Sequence, residues 1–382
     1  MTLAEHGIAS LGLMALTSPD SWSGSLERRL RRIVKRWAVS RKSYDDMVLR
    51  ASEWAERYER LDTTCEGVLQ RNAELAESHR LLMVEHENLR SRHEDVLRAK
   101  QAFEDQYRTW VPPGHFYSPF PAKEEIGRRA AALFDVDARP EAVDLREAEQ
   151  IALFGKLADL AADLPFTAEP NERHRFFFDN PEYSWSDAIT LHTMLRHLRP
   201  RRVIEVGSGY STAMMLDTID GWLDDTELTC VEPYPQLLES LLRTGDGERV
   251  RILGKPVQDV PVETFQALEA GDVLFIDSTH VVKAGSDVNY LFFEVLPRLS
   301  DGVWIHLHDV FFPFEYPMTW LTEGRAWQED YLLRAFLMYN DRFEIRWYQQ
   351  YMWIHHRRLL EGRIPVMANN PGGNIWLRKA PG

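Results

Sequence analysis

The sequence predicts an α/β chain: an open, largely parallel sheet in the carboxyl-terminal part, preceded by a long helical coiled coil. Three observations carry this. Val203–Ser211 reads as an apolar strand running through a glycine turn into a helix. Further short apolar runs follow in order, each ending in a polar residue. Residues 51–107 repeat apolar side chains at every seventh position.

In Val203-Ile-Glu-Val-Gly-Ser-Gly-Tyr-Ser211 the strand passes through Glu205, and Gly207 and Gly209 bend the chain where a Cβ would collide with a ligand. A dinucleotide fingerprint reads G-x-G-x-x-G, and Thr212 stands here in place of the third glycine. The acid two places before the first glycine sets this turn apart. A carboxylate can accept from an ammonium group, which a pyrophosphate does not carry. Glu227–Glu232 is the second strand, its final acid 27 residues after Glu205, where a carboxylate takes the two hydroxyls of a ribose. Val250–Gly254 is the third, followed by Val257, Gln258 and Asp259, which could frame an adenine. Val273–Ile276 delivers Asp277, and Val303–His308 delivers His308 and Asp309. Ligands of open α/β sheets sit beyond the carboxyl ends of the strands, so these groups should meet in one crevice.

With those residues in view, the chain resembles the class I S-adenosylmethionine-dependent methyltransferases, and within them bacterial methyltransferase-like proteins associated with glycan and natural-product pathways. The matching stretches are Pro112-Pro-Gly-His-Phe-Tyr-Ser118, Ile204-Glu-Val-Gly-Ser-Gly-Tyr-Ser-Thr212, Phe275-Ile-Asp-Ser-Thr-His280, His306-Leu-His-Asp309 with Pro313-Phe-Glu-Tyr-Pro317, and Gly373-Asn-Ile-Trp-Leu-Arg378. The resemblance covers residues 108–382 and implies a seven-stranded Rossmann-like sheet whose last strand, Asn374–Arg378, runs antiparallel. It implies S-adenosylmethionine held by Glu205, Gly207, Ser208, Gly209, Tyr210, Ser211, Glu232, Gln258 and Asp277, with Glu205 meeting the ammonium. It further implies O-methylation of a small-molecule, sugar or glycan-linked acceptor, as in polysaccharide biosynthesis. Two rivals stay open: a nicotinamide-dependent oxidoreductase on the same first turn, and a coiled-coil scaffold that retains a cofactor-binding domain without turnover.

For a hydroxyl acceptor the chemistry asks for a proton acceptor, and His280, three residues past Asp277, is the candidate, with Asp277, His308 and Asp309 serving the acceptor beside it. In related metal-dependent methyltransferases, carboxylates or an amide at the ends of the fourth and fifth strands hold magnesium. Asp277, His308 and Asp309 match those positions, so a divalent metal is a second expectation. His308 stands where an oxygen ligand belongs, and imidazole suits manganese, iron or zinc better than magnesium. His306 alternates with His308 and could support it.

A formal net charge of −14 argues against general nucleic-acid binding. Two cysteines, Cys65 and Cys230, build no disulfide framework and suit a reducing cytosol. The apolar stretch Ile8–Leu16 is too short to span a bilayer and has no basic residues before it, so the expected location is cytoplasmic. Residues 26–42 carry eight Lys or Arg against one acid, with Leu26, Leu30, Ile33, Val34 and Trp37 on one helical face. Such a basic amphipathic helix either touches the inner face of an anionic membrane peripherally or keeps its basic face in water.

Four segments result: 1–43 with the basic helix, a coiled coil over 44–107, a cap or linker over 108–185, and the catalytic domain over 186–382. In the heptads, Trp54, Leu61, Val68, Leu75, Leu82, Leu89, Val96 and Phe103 occupy d, and Tyr58, Cys65, Asn72, His79, His86, His93 and Lys100 are among the a residues. Eight repeats make a helix of about 85 Å. One helix cannot bury so narrow a stripe, so self-association follows. Asn72 at a favours a parallel dimer, whereas Leu69, Ala76, Met83 and Leu97 at e leave room for a trimer or tetramer. After Tyr107 the heptad stops, and Trp110-Val-Pro-Pro-Gly114 breaks the helix. His115, Phe116 and Tyr117 could reach the ligand from the cap, and an aromatic insertion over 311–341 would shape the acceptor pocket.

Overall fold

The computed structural model describes residues 24, 28–29, 32, 41–106, 110–223 and 225–382, which fall into two compact units, Met1–Arg108 and Thr109–Gly382. In the first unit, helix α1 (Arg41–Gln106) runs for 66 residues. Its side-chain pairs, among them Arg80–Glu77 at 2.7 Å and Arg98–Asp95 at 2.6 Å, are solvent-exposed and add little to its stability. The apolar column expected to be buried stands open: Leu75 is 67 % exposed and Leu82 61 %. Most of the basic segment 26–42 lies outside the described residues. Among the described residues no helix is long and apolar enough to cross a membrane.

The second unit is built on seven strands: β1 (Arg202–Val206), β2 (Glu227–Val231), β3 (Val250–Leu253), β4 (Val273–Ile276), β5 (Trp304–His308), β6 (Phe343–Tyr348) and β7 (Asn374–Lys379). Their order is β3-β2-β1-β4-β5-β7-β6. β1 to β5 pair in parallel, and β7 inserts antiparallel between β5 and β6, as the resemblance implied. β4 is the uninterrupted apolar run Val-Leu-Phe-Ile and every residue in it is buried, because helices cover both faces of a parallel sheet. The two central strands, β1 and β4, align Val206 with Ile276, which brings their carboxyl ends level.

Helix α2 (Lys123–Leu133) packs through Ile126 on Phe311, Tyr316 and Leu321 of the insertion after β5. Helix α3 (Glu147–Leu160) buries Leu153, Phe154 and Leu157 in the main core, where the Phe154 ring stacks on Trp347 of β6. The 108–185 region is therefore not a separate cap: apolar periodicity in α3 commits it to the same core as the sheet. Helix α4 (Trp185–Leu198) is buried from Ser186 to Leu195, and helix α5 (Tyr210–Trp222) follows the first turn. The stretch before α4 is tied down by Arg175, whose guanidinium bonds Asp217 at 2.7 Å and both Asp246 oxygens at 2.6 and 2.7 Å, all nearly buried. Asp246 is held below the usual carboxylate range: burial raises it, and the Arg175 bond outweighs that. Arg175→Ala would leave the buried carboxylates of Asp217 and Asp246 without their guanidinium partner. We expect a loss of about 3–5 kcal/mol in unfolding free energy, read by urea denaturation.

Candidate functional site

The first turn is fixed by a steric limit. Gly207 has φ +80°, and a Cβ there would lie 1.8 Å from the Asp277 carbonyl oxygen, inside any contact distance. The Gly207 N–H donates to the Val231 carbonyl (3.1 Å) and the Asp277 N–H to that of Val206 (2.9 Å). The turn after β1 is thus clamped between the ends of β2 and β4. The carboxylate of Glu232 accepts from the Ser208 N–H (3.3 Å) and the Tyr234 N–H (2.8 Å), so it sits half-buried beside the turn. The hydroxyls of Ser208 and Ser278, one after β1 and one after β4, are buried without a hydrogen-bond partner. Two orphaned hydroxyls beside a glycine turn are what a crevice made for a polar ligand contains. Gln258 lies further out, donating to the Gly285 carbonyl (2.9 Å). Tyr210 is half-buried at the start of α5 and packs edge-on to Phe177 (5.7 Å).

Two expected cofactor contacts are corrected. Glu205 has no exposed surface, and accepts from Ser211 Oγ (2.6 Å), Thr212 Oγ1 (2.6 Å) and Cys230 Sγ (3.2 Å). Burial, only partly offset by these bonds, raises its carboxyl to about 7. It fastens the first turn of α5 to the sheet, and the Ser211 hydroxyl is spent on it. His115, Phe116 and Tyr117 stack on one another, with Phe116 80 % exposed.

Beyond β4 and β5 the charged residues do converge. His280 Nε2 lies 3.5 Å from Asp277 Oδ1 and 3.6 Å from Asp309 Oδ2, while its Nδ1 is 2.8 Å from Glu329 Oε2. His308 Nδ1 lies 3.5 Å from Asp277 Oδ1 and 3.6 Å from Asp309 Oδ1. Its Nε2 is 3.7 Å from Asp187. Carboxylates and imidazoles alternate around a closed ring. Burial alone would depress His280, but Asp277 and Glu329 outweigh it and raise the imidazole to about 10. Burial likewise opposes charge on His308, and the attraction of Asp277 and Asp309 lifts it well above its ordinary value. Asp277 is driven up by burial and held well below the carboxylate range by His308 and His280. Burial wins at Asp309, which is raised.

With Glu329 on Nδ1 and Asp277 and Asp309 facing Nε2, His280 is drawn toward its protonated form, which disfavours the role of base expected of it. For the metal expected at Asp277, His308 and Asp309, no three His, Cys, Asp or Glu side chains among the described residues are grouped to hold an ion. His306 does not support His308 by hydrogen bonding. It lies fully buried between Phe275 (4.1 Å) and Trp376 (4.8 Å), and burial drives it well below its ordinary value.

Sequence reasoning missed Glu329, Asp187 and Trp327. Glu329 begins the helix Glu329–Leu337 inside the insertion, is 1 % exposed, and reaches His280 across 49 positions. Asp187 opens α4 and accepts from the Gly373 N–H (3.0 Å) and Asn374 Nδ2 (2.6 Å), which anchors the start of β7 beside His308. The ring of Trp327 lies 4.5 Å from His280 and packs edge-on with Trp320 (5.2 Å). No local motif marks any of the three.

A family model described as "Methyltransferase domain" matches residues 204–310. An uncharacterized protein of Archaeoglobus fulgidus is 34 % identical over 166 residues, 41 % of this chain and 73 % of that one. Among solved structures, the SAH-bound Podospora anserina methyltransferase PaMTH1 is similar over 69 % of this chain and 99 % of its own, at 17 % identity and a TM-score of 0.36. CmcI in an apo form is similar over 52 % and 73 %, at 16 % identity and a TM-score of 0.34.

A histidine whose folded value is raised stabilises fully below its unfolded value, about 6.5, and loses that contribution as pH climbs through the folded one. Unfolding free energy should therefore fall between pH 6.5 and 10, and this slope should flatten in Glu329→Gln. Imidazole NMR should show His280 still protonated at pH 8 in the parent.

Proposed function

The chain belongs to the class I S-adenosylmethionine-dependent methyltransferases, and from that we propose that it methylates a hydroxyl on a sugar or other polyhydroxylated acceptor. The nicotinamide alternative falls with the strand order, since a dinucleotide fold of this kind runs 3-2-1-4-5-6 without the inserted antiparallel strand. The observation that carries the proposal is the ring of Asp277, His280, Asp309 and His308 at the ends of β4 and β5.

Bound S-adenosylmethionine supplies an electrophilic methyl group. In our reading Ser208 and Ser278 offer their unpartnered hydroxyls to it, and Glu232 takes the ribose hydroxyls. Asp309 is the group left to accept the acceptor's proton. It is 19 % exposed, its acidity is weakened by burial, and its carboxylate is aimed by His280 and His308. Asp277, kept ionised by the same imidazoles, orients a second hydroxyl. Trp327 and Trp320, half-buried beside His280, give an apolar wall for the carbon face of a sugar ring.

Three outcomes check this. S-adenosylmethionine or its demethylated product should raise the melting temperature, and Glu232→Ala should weaken that affinity in calorimetry. With labelled methyl donor, a screen of nucleotide sugars and oligosaccharides should yield a methylated product. Asp309→Asn should then lower turnover by about 100- to 10,000-fold with cofactor affinity unchanged. Full turnover in that variant would exclude Asp309 as the proton acceptor.

A further inference from the structure

Among the described residues, helix α1 exposes an apolar column along one face. At seven-residue spacing from Trp54 to Phe103 its d side chains are 51–68 % exposed, and Leu69, Met83 and Leu97 widen the same face. We propose that the column is the interface of a parallel, in-register homodimer, with a second copy of α1 as its occupant.

The size fits. Eleven large apolar side chains per helix, at roughly 60–100 Å² each, take on the order of 1,300–2,200 Å² from water across two helices. A stable protein interface needs about 1,200–2,000 Å².

Polar residues fix the direction. In a parallel, in-register pair each a residue meets itself, so Asn72 faces Asn72 and can hydrogen-bond across the seam; an antiparallel pair would set it against a d leucine. The residues flanking the seam agree. With two chains in register, Arg57 of one helix falls beside Asp62 of the other, and Glu85 beside Arg90, while the remaining flanking pairs bring no two like charges together. The tandem a-position histidines keep their own layers in this arrangement. A one-heptad slip would pair Asn72 with Cys65 or His79, so register is specified as well as direction.

Cys65 gives the test. It is exposed at an a position, and the other cysteine, Cys230, is buried in the second unit. In the proposed dimer the two Cys65 residues share one layer, within reach of the Cα separation of about 4.4–6.8 Å that a disulfide spans. Full-length protein is run in sedimentation velocity at low-micromolar concentration. A mass twice the 44.5 kDa of the chain is expected. Leu75→Lys with Leu82→Lys, both on the open face of α1, should reduce it to the single-chain mass while the melting of the methyltransferase unit stays unchanged. Copper-phenanthroline oxidation of the parent, in which two thiols lose two protons and two electrons to the oxidant, should give a linked dimer on non-reducing gels. Cys65→Ser should remain dimeric and fail to link. A single-chain mass for the parent, or an unaltered mass in the double lysine variant, overturns the interface. A dimer that does not link through Cys65 overturns the parallel register, and a trimer or tetramer overturns the stoichiometry.

Discussion

The crossing of the first turn over the end of β4 leaves no space for a side chain at position 207. A Cβ on Gly207 would sit 1.8 Å from the Asp277 carbonyl oxygen. Because that carbonyl belongs to the residue leaving β4, the contact does more than shape a loop. It sets how closely β1 and β4 approach at their carboxyl ends, and so where the Asp277 side chain emerges. Glu205 holds the other side of the turn, joining Ser211 and Thr212 of α5 to the sheet through one buried carboxyl. The backbone geometry of the crevice follows from these two constraints.

What the crevice does is governed by charge rather than by shape. Two carboxylates at adjacent strand ends would repel one another and protonate if left alone in a buried site. Two imidazoles placed between them change that: Asp277 is held below the usual carboxylate range, Asp309 keeps a weakened acidity, and both rings are raised toward the charged form. Glu329 completes the arrangement from the far side of the insertion by binding the remaining nitrogen of His280. A neutral histidine acting as base needs an imidazole lone pair, and this ring of contacts draws both imidazoles toward the protonated form.

Contrast between His306 and His308 shows how little the residue type decides. They lie two apart on one strand and face the same side of the sheet. His308 meets carboxylates at the crevice, whereas His306, one pleat deeper, stacks on Phe275 and Trp376 with neither nitrogen hydrogen-bonded. One is pushed to the charged form and the other to the neutral form by neighbours that come from other strands.

The sequence by itself determined the elements and their order. Apolar runs of strand length, the glycines at 207 and 209, the polar residue closing each strand and the unbroken heptads are local patterns, and each maps onto a strand, a turn or α1. It also determined which residues gather beyond β4 and β5, because strand ends in a parallel sheet lie on one edge. Only the tertiary structure decided the roles. Whether Glu205 faces a ligand or the underside of a helix depends on where Ser211, Thr212 and Cys230 lie around it. Whether His280 accepts a proton or already holds one depends on Glu329, 49 residues away. Protonation state and burial are set by long-range neighbours, and no local pattern in the chain encodes those.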